Sequence, residues 1–172
     1  HCNAYEGVMN VIDLKVNNFR NLVAQRVQFS ENTNLLIGDN AQGKTNLIEA
    51  ILVALNGQSF RFGHKQDYIG PLARTCEISS SVSNGTITLD LNCKISETKI
   101  GHFSADKVVS AAVLRTKIPL VVFSPDSLDA IKDGPEYRRS LIDSVISNTH
   151  PQGPQLFLDF QKALKTRNKL LK

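Results

Sequence analysis

The sequence contains no tryptophan, and only 6% of its 172 residues are aromatic. No apolar run approaches the roughly 18 to 20 residues that a membrane-spanning helix requires, so we expect no membrane protein. The three cysteines, Cys2, Cys76 and Cys93, form no CxxC pair, which argues against a metal site or a disulfide framework and indicates a reducing cytoplasm. Residues 1–8 lack the basic and apolar segments of a secretory signal. These absences, with 41% hydrophobic residues, predict a cytoplasmic globular protein of about one domain.

The positive charge of the chain is concentrated near its end. The net charge is +4, from 20 basic and 16 acidic residues, and all of the excess lies after Ile131. Phe160–Lys172 holds five basic residues and no acidic one. A basic segment of this kind can lie along a nucleic-acid backbone. It can equally be a solvated helix face near a chain end, and charge alone leaves both interpretations open.

The first half of the chain predicts strands followed by a helix. Alternating or apolar runs indicate strands at Val11–Val16, Val23–Phe29 and Asn34–Ile37. The helix is predicted over Lys44–Asn56 and ends at Gly57. Its apolar positions form one face and are Leu47, Ile48, Ile51, Leu52 and Leu55.

The second half begins with a hairpin and then becomes helical. Period-two alternation from Glu77 to Ile95 predicts two strands joined by a turn at 83–86. Further along, we predict a short helix at Asp106–Leu114, a strand at Ile118–Phe123, helices starting at Ser124 and Gly134, and a final helix at Leu156–Lys172.

A glycine-bounded loop lies between the third predicted strand and the helix. Gly38-Asp39-Asn40-Ala41-Gln42-Gly43-Lys44-Thr45 matches G-x-x-x-x-G-K-[ST] in full, and a strand before it and a helix after it are the context that supports a P-loop. In such a loop the backbone amides and the helix N-terminus face phosphate, the lysine pairs with the β and γ phosphates, and the threonine hydroxyl binds Mg²⁺. Lys44 and Thr45 take these two roles here.

The P-loop motif does not specify which nucleotide is bound or whether it is hydrolysed. Hydrolysis requires a metal-holding acid at the end of an apolar strand and a group that orients water. The nearest matches, at Asp90 and Asp126, are poor, and no Asn-Lys-x-Asp motif for guanine is present.

Several stretches together resemble the first half of the RecF family of bacterial recombination mediators. RecF belongs to the class of ABC-type ATPases that includes SMC proteins and Rad50. The resemblance covers Met9 to Lys172, with Asn40 and Asn46 in its loop segment. The matching stretches are Leu14–Asn21, Asn34–Ala50, Gly57–Arg61, Phe123–Leu128, Gly134–Asp143 and Lys165–Lys172.

The resemblance implies a fold and a domain division. The fold is α/β: an ABC-type ATPase head lobe with a P-loop and a β-hairpin region, followed by the beginning of a helical lobe. We predict the P-loop lobe at 9–103 and the start of the helical lobe at 104–172, with 1–8 as an unmatched leader or tag. RecF proteins are roughly twice this length, so a truncated chain is expected. The signature motif and Walker B acid of the family lie in the other half, so efficient ATP hydrolysis by this chain alone is not expected.

The resemblance also implies a function. It is that of an ATP- and DNA-binding mediator in DNA replication and repair, including the SOS response. Such a protein binds single-stranded and double-stranded DNA, works with RecR-type and RecA-type proteins and forms an ATP-dependent homodimer. Two alternatives remain: a stand-alone small P-loop enzyme, and a non-catalytic DNA-binding or interaction fragment with an idle loop.

The predicted cofactors are ATP and Mg²⁺. The predicted nucleotide-binding residues are Gly38, Asp39, Asn40, Ala41, Gln42, Gly43, Lys44, Thr45 and Asn46, together with Arg20, Asn21 and Arg61 by resemblance; Thr45 is the Mg²⁺ ligand. Arg61 has an alternative role as a helix-end cap. The candidate DNA contacts are Lys162, Lys165, Arg167, Lys169 and Lys172.

Overall fold

The computed structural model describes residues 8–61, 64–123, 135, 138–139, 142–143, 145–146 and 152–171. The chain forms two compact units, the first ending at Ile118 and the second beginning at Pro119. The elements of the first unit, in chain order, are β1 (Asn10–Phe19), β2 (Leu22–Gln28), α1 (Lys44–Asn56), a 3-10 helix (Lys65–Tyr68), β3 (Thr75–Ser83), β4 (Thr88–Ser96), β5 (Ile100–Ser104), β6 (Lys107–Val109) and α2 (Ala111–Lys117). The second unit contains α3 (Gly153–Leu170). In the described part of the chain, no helix combines the length and the apolar character needed to cross a membrane.

The six strands form one antiparallel sheet in the order β2-β1-β3-β4-β5-β6. Central strand β3 pairs with β1 on one side and with β4 on the other, with Ile78 opposite Val16 and Cys93. Alternate residues of β3 are buried, as expected when one face of a sheet lies on a core. The sheet therefore has one apolar face, and α1 packs against it.

The core lies between this face and α1. From the sheet it takes Leu14, Val16, Phe19, Cys76, Ile78, Cys93 and Ile95, and from α1 it takes Leu47, Ala50, Val53 and Ala54. Burial raises the pKa of the Cys76 and Cys93 thiols to about 12, so these free cysteines stay protonated at neutral pH. Ile48, which the periodicity places on the apolar face of α1, is instead 43% exposed.

The C-terminal end of α1 is fixed by groups from β5 and α2. The helix has the predicted bounds, and Gly57 ends it with φ 72°. Arg115 donates to the Asn56 carbonyl, and His102 Nε2 lies 3.0 Å from the Val53 carbonyl oxygen. Because a carbonyl can only accept, His102 donates there. The Arg115 bond satisfies a carbonyl that the end of the helix leaves unpaired. The Val53 carbonyl also accepts from the backbone amide of Gly57, so His102 adds a second donor there.

The predicted hairpin is confirmed. Strands β3 and β4 are joined by a turn in which the Asn84 side chain accepts from the amides of Thr86 and Ile87. Gly85 has φ 84°, and nothing lies within 4 Å of the position that a Cβ would take there.

The prediction of a strand at Asn34–Ile37 is wrong. This segment lies outside the strands, and Leu35 and Ile37 are 79% and 84% exposed. A strand requires a neighbour to pair its backbone groups, and none of the described strands pairs with this segment.

Two later predictions also fail. Ile118–Phe123 is not a strand, since Ile118 ends α2 and Pro119 cannot donate to a strand ladder. The helix predicted at Asp106–Leu114 begins only at Ala111, because Ala105 and Asp106 form a left-handed turn that pairs β5 with β6.

The predicted helix start at Ser124 lies outside the described residues. Of the stretch after Gly134, the described residues Pro135, Arg138 and Ile142 are helical. The final helix is confirmed with shifted bounds, Gly153–Leu170 in place of Leu156–Lys172.

We predict that Gly57→Ala lowers the free energy of unfolding by about 2 to 4 kcal/mol. The added Cβ would meet the Ala111 Cβ at 2.8 Å and His102 Cε1 at 3.2 Å, in addition to the strain of a left-handed backbone. The matched control is Gly85→Ala, which has the same backbone strain in open space and should cost only about 1 to 2 kcal/mol. Urea unfolding of both variants measures the difference, and equal losses would show that α1 and α2 are not closely packed at this point.

Candidate phosphate-binding site

The glycine-bounded loop curves around the ammonium group of its own lysine. Lys44 Nζ donates to the carbonyl oxygens of Gly38 and Asp39, both at 2.6 Å. Ala41, at the top of the loop, has φ 65°, a left-handed conformation that few residues other than glycine adopt. The loop therefore holds a positive charge at its centre without help from the rest of the chain.

Helix α1 begins at the same point and leaves its first amides open. Its first intrahelical bond runs from the Leu47 amide to the Gly43 carbonyl, so the amides of Lys44, Thr45 and Asn46 precede the hydrogen-bonded part of the helix. Gly43, at the N-cap, supplies no side-chain cap. Open amides and the positive end of the helix dipole favour a bound anion.

Loop and helix enclose an open cavity of about 440 Å³. Gly43, one of the lining residues, has close neighbours, because a Cβ there would meet Leu22 Cδ2 at 2.8 Å and Asn21 Oδ1 at 3.0 Å. The Thr45 side chain is exposed at the cavity. The lining residues are Asn21, Asn40, Ala41, Gln42, Gly43, Lys44, Thr45, Asn46 and Arg61.

A directed series of hydrogen bonds crosses one wall of the cavity. Asn21 Nδ2 donates to the Ala41 carbonyl at 3.2 Å, and Asn46 Nδ2 donates to Asn21 Oδ1 at 2.8 Å. Arg61 Nη1 donates to Asn46 Oδ1 at 2.8 Å. Each amide side chain donates with its nitrogen and accepts with its oxygen, so the β1–β2 turn, the loop, α1 and Arg61 are held in one arrangement.

The series ends on a buried carboxylate. Glu49 lies one helical turn after Asn46 and is fully buried. Its Oε1 accepts from Ser59 Oγ and from Arg20 Nη2 at 2.7 Å, and its Oε2 lies 3.3 Å from Arg61 Nη1. A buried carboxylate is costly unless it is paired, and two arginines and a hydroxyl pair this one.

Arg20 is directed into this cluster and away from the cavity. Its Nε lies 2.6 Å from Glu49 Oε2, although the N–H does not point at that oxygen, so this contact is ionic. Its guanidinium lies 5.6 Å from the centre of the Tyr68 ring, and its backbone amide donates to the Tyr68 carbonyl. Burial raises the pKa of the Tyr68 phenol, and the Glu49 charge raises it further.

The structure thus brings together most of the predicted nucleotide-binding residues. Gly38 and Asp39 contribute carbonyls to Lys44, Asn40 to Asn46 line the cavity, and Asn21 and Arg61 lie at its wall. Arg20 is not among the lining residues.

Glu49 and Ser59 were not predicted. The signal for Glu49 was an acidic residue within the apolar part of α1, between Leu47 and Leu52, where only a partnered charge is stable.

The candidate DNA contacts lie apart from this cluster in sequence, on α3. Lys162, Lys165, Arg167 and Lys169 are exposed there. Lys172 lies outside the described residues. The hydroxyl of Thr166 bonds back to the Lys162 carbonyl within the helix.

The chain is similar to known proteins in sequence. A family model described as an AAA ATPase domain matches residues 9–170. The DNA replication and repair protein RecF of Thermoanaerobacter sp. (strain X514) is 36% identical over 173 residues, which cover 95% of this chain and 46% of the relative. RecF of Alkaliphilus oremlandii (strain OhILAs) is 33% identical with the same coverage. The chain therefore spans about half the length of the curated relatives it matches.

Solved structures of RecF and of an SMC ATPase are similar to this chain as well. A structure of the recombination mediator protein RecF with ATPrS has a TM-score of 0.81 at 28% identity and covers 98% of this chain and 46% of that one. An SMC ATPase structure, at 21% identity and a TM-score of 0.65, shares the fold and covers 78% of this chain and 98% of that one. The predicted α/β ATPase-head fold is thereby confirmed. The chain belongs to the AAA ATPase domain family, and its predicted resemblance to RecF is confirmed.

Proposed function

We propose that this chain binds ATP through the loop 38–45 as the nucleotide-binding part of a DNA replication and repair protein. The observation that carries the proposal is the position of Lys44, whose ammonium is held by two loop carbonyls beside the open amides of α1. A lysine and several amides converging on one cavity form a set of donors without a carboxylate in the lining, and phosphate is the ligand such a set fits.

The residues of the site have different proposed roles in binding a triphosphate. The amides at the start of α1 bind phosphate oxygens, and Lys44 neutralises charge on the β and γ phosphates. Asn21 and Asn46 keep the loop and the helix in register through their mutual hydrogen bond. Arg61, at the wall of the cavity, adds a second cation within reach of the phosphates.

Thr45 is the proposed protein ligand for Mg²⁺. Thr45 is exposed and lines the cavity, one residue after Lys44. The described part of the chain has no cluster of three acidic, histidine or cysteine side chains that could hold a metal. Of the described residues, Thr45 would hold the ion together with the nucleotide's own phosphates, since Mg²⁺ commonly combines one or two protein ligands with substrate phosphates. When bound, Mg²⁺ neutralises phosphate charge.

We further propose that the whole protein acts as RecF-type mediators do, with RecR-type and RecA-type partners, in the cytoplasm. The relatives' printed name, DNA replication and repair protein RecF, supports this role. ATP would favour a homodimer if the dimer binds it better than the monomer does.

DNA binding is assigned to α3. Lys162, Lys165 and Lys169 are three, four and seven residues apart, so they lie on one side of the helix. Exposed lysines of this kind contact phosphates, which sets affinity and not sequence preference.

A prediction on nucleotide affinity tests the proposed binding of ATP. Lys44→Ala should weaken MgATP binding about a hundredfold, because it removes charge-assisted bonds to phosphate. Isothermal titration calorimetry on the 172-residue chain measures the affinity.

The matched control for this prediction is Lys94→Ala, on β4, which removes an equal charge from an exposed lysine that pairs with Glu77 at 3.7 Å. It should bind MgATP as the unmodified chain does. Equal affinities of Lys44→Ala and the unmodified chain would contradict the proposal, and no binding by the unmodified chain would indicate an idle loop.

A separate prediction tests the binding of DNA by α3. Binding should be independent of sequence and should weaken with salt, with a log–log slope of about −3 to −4 for three to four phosphate contacts on duplex. Replacing Lys162, Lys165 and Lys169 by glutamine should flatten that slope and leave MgATP binding unchanged. Fluorescence anisotropy over a salt series provides the slope.

A second triple variant separates position from total charge. Lys15, Lys94 and Lys99 are exposed lysines of the first unit, and their replacement by glutamine changes the net charge by the same amount. That variant should retain the steep slope. If the α3 variant retains it too, the DNA surface lies elsewhere, as expected if α3 packs against another part of the protein.

A further inference from the structure

The carboxylate of Glu49 holds Arg61 at two points. It accepts from the Arg61 guanidinium at 3.3 Å. It also accepts from the Ser59 hydroxyl, whose oxygen in turn accepts from the backbone amide of Arg61 at 2.9 Å. One buried group therefore restrains both the backbone and the side chain of a residue that lines the phosphate cavity.

The two arginines of the cluster, Arg20 and Arg61, differ in how closely they contact Glu49 and in how exposed their side chains are. Arg20 makes the closer contacts with Glu49, and its side chain is only 20% exposed. The Arg61 side chain is 39% exposed, makes the longer contact and shares Nη1 between Glu49 and Asn46. Arg20 thus serves as the fixed counter-ion of Glu49, whereas Arg61 has donors left for an anion in the cavity.

Stability alone does not account for this arrangement. Buried ion pairs are commonly no more stabilising than well-packed apolar residues of similar volume. What the carboxylate provides is orientation, because it accepts from three side chains belonging to two different segments of chain.

We propose that Glu49 is a positioning residue for the nucleotide phosphates: acting through Ser59 and Arg61, it holds the Arg61 guanidinium at the edge of the cavity. The inference rests on the proposed binding of ATP and assigns a role to a residue that does not itself line the cavity.

The test is a double-mutant cycle with Glu49→Gln and Arg61→Ala, read as MgATP affinity. Glutamine keeps the shape of the side chain but removes its charge. It also replaces one accepting oxygen by an amide NH₂ group, which donates and cannot accept from the arginine or serine donors that face it. Each single variant should weaken binding about tenfold, and the double variant should bind no more weakly than Arg61→Ala. Glu49 acting independently of Arg61 would instead give the product, about a hundredfold, and that result would overturn the inference. Unchanged affinity in Glu49→Gln would overturn it as well.

The control for the Glu-to-Gln substitution is Glu77→Gln on β3, which is not among the residues that line the cavity. The Glu77 carboxylate accepts a hydrogen bond from the Asn92 side chain and forms an ion pair with Lys94. Its MgATP affinity should be that of the unmodified chain. If Glu49→Gln does not fold, Ser59→Ala takes its place in the cycle, since it removes the hydroxyl that connects Glu49 to the Arg61 amide. Ser59→Ala and Arg61→Ala should again be non-additive, and independent effects would contradict the inference.

A measurement without nucleotide separates this inference from the proposed function. NMR of the nucleotide-free protein follows the guanidinium resonances of Arg61, assigned with Arg61→Lys. They should shift and exchange faster with water in Glu49→Gln, or in Ser59→Ala if that variant is used. If they do not change, the positioning role fails even where MgATP binds. If MgATP fails to bind the unmodified chain, the proposed function fails while the resonances still decide the role of Glu49.

Discussion

The ion pair between Arg20 and Glu49 is the contact on which the arrangement of the site depends. It joins the turn between β1 and β2 to the buried side of α1, with Nη2 to Oε1 at 2.7 Å and both side chains largely removed from water. Leaving either partner alone would bury an uncompensated charge, which is strongly destabilising. The turn and the helix are therefore fixed relative to each other, and the loop 38–45 is attached to both.

The sequence was sufficient to predict the parts of the fold and of the site that depend on local geometry. The loop, the bounds of α1 and the hairpin turn at Asn84 and Gly85 each require particular residues at fixed offsets, so they can be read without knowledge of the fold. The strand expected at Asn34–Ile37 depends on a distant neighbour, and an apolar run gives no information about whether one is present. Pro119 is a local signal against the strand at Ile118–Phe123, and it outweighs the apolar composition of that segment.

The different contacts of Arg20 and Arg61 could not be predicted from the sequence. Resemblance predicts nucleotide binding for both Arg20 and Arg61, with helix capping as the alternative for Arg61, and charge does not separate the two. Their difference comes from one buried acid: Arg20 is committed to Glu49 and to the Tyr68 ring, whereas Arg61 stays at the cavity wall. Which of the two arginines makes the closer contacts with Glu49 depends on how α1 is rotated against the sheet, which is a property of the packed core.

The loop is held mainly from its helix side. The segment that leads into it is exposed at Leu35 and Ile37, and pairing with the described strands does not fix its position. The bonds that do hold the loop come from Lys44 to Gly38 and Asp39 and from Asn21 to Ala41. All of these donors are side chains, and Lys44 is also the proposed phosphate ligand. Since an ammonium has three donors, the two carbonyl bonds of Lys44 leave one for phosphate. The lysine can therefore hold the loop closed and bind the nucleotide at the same time.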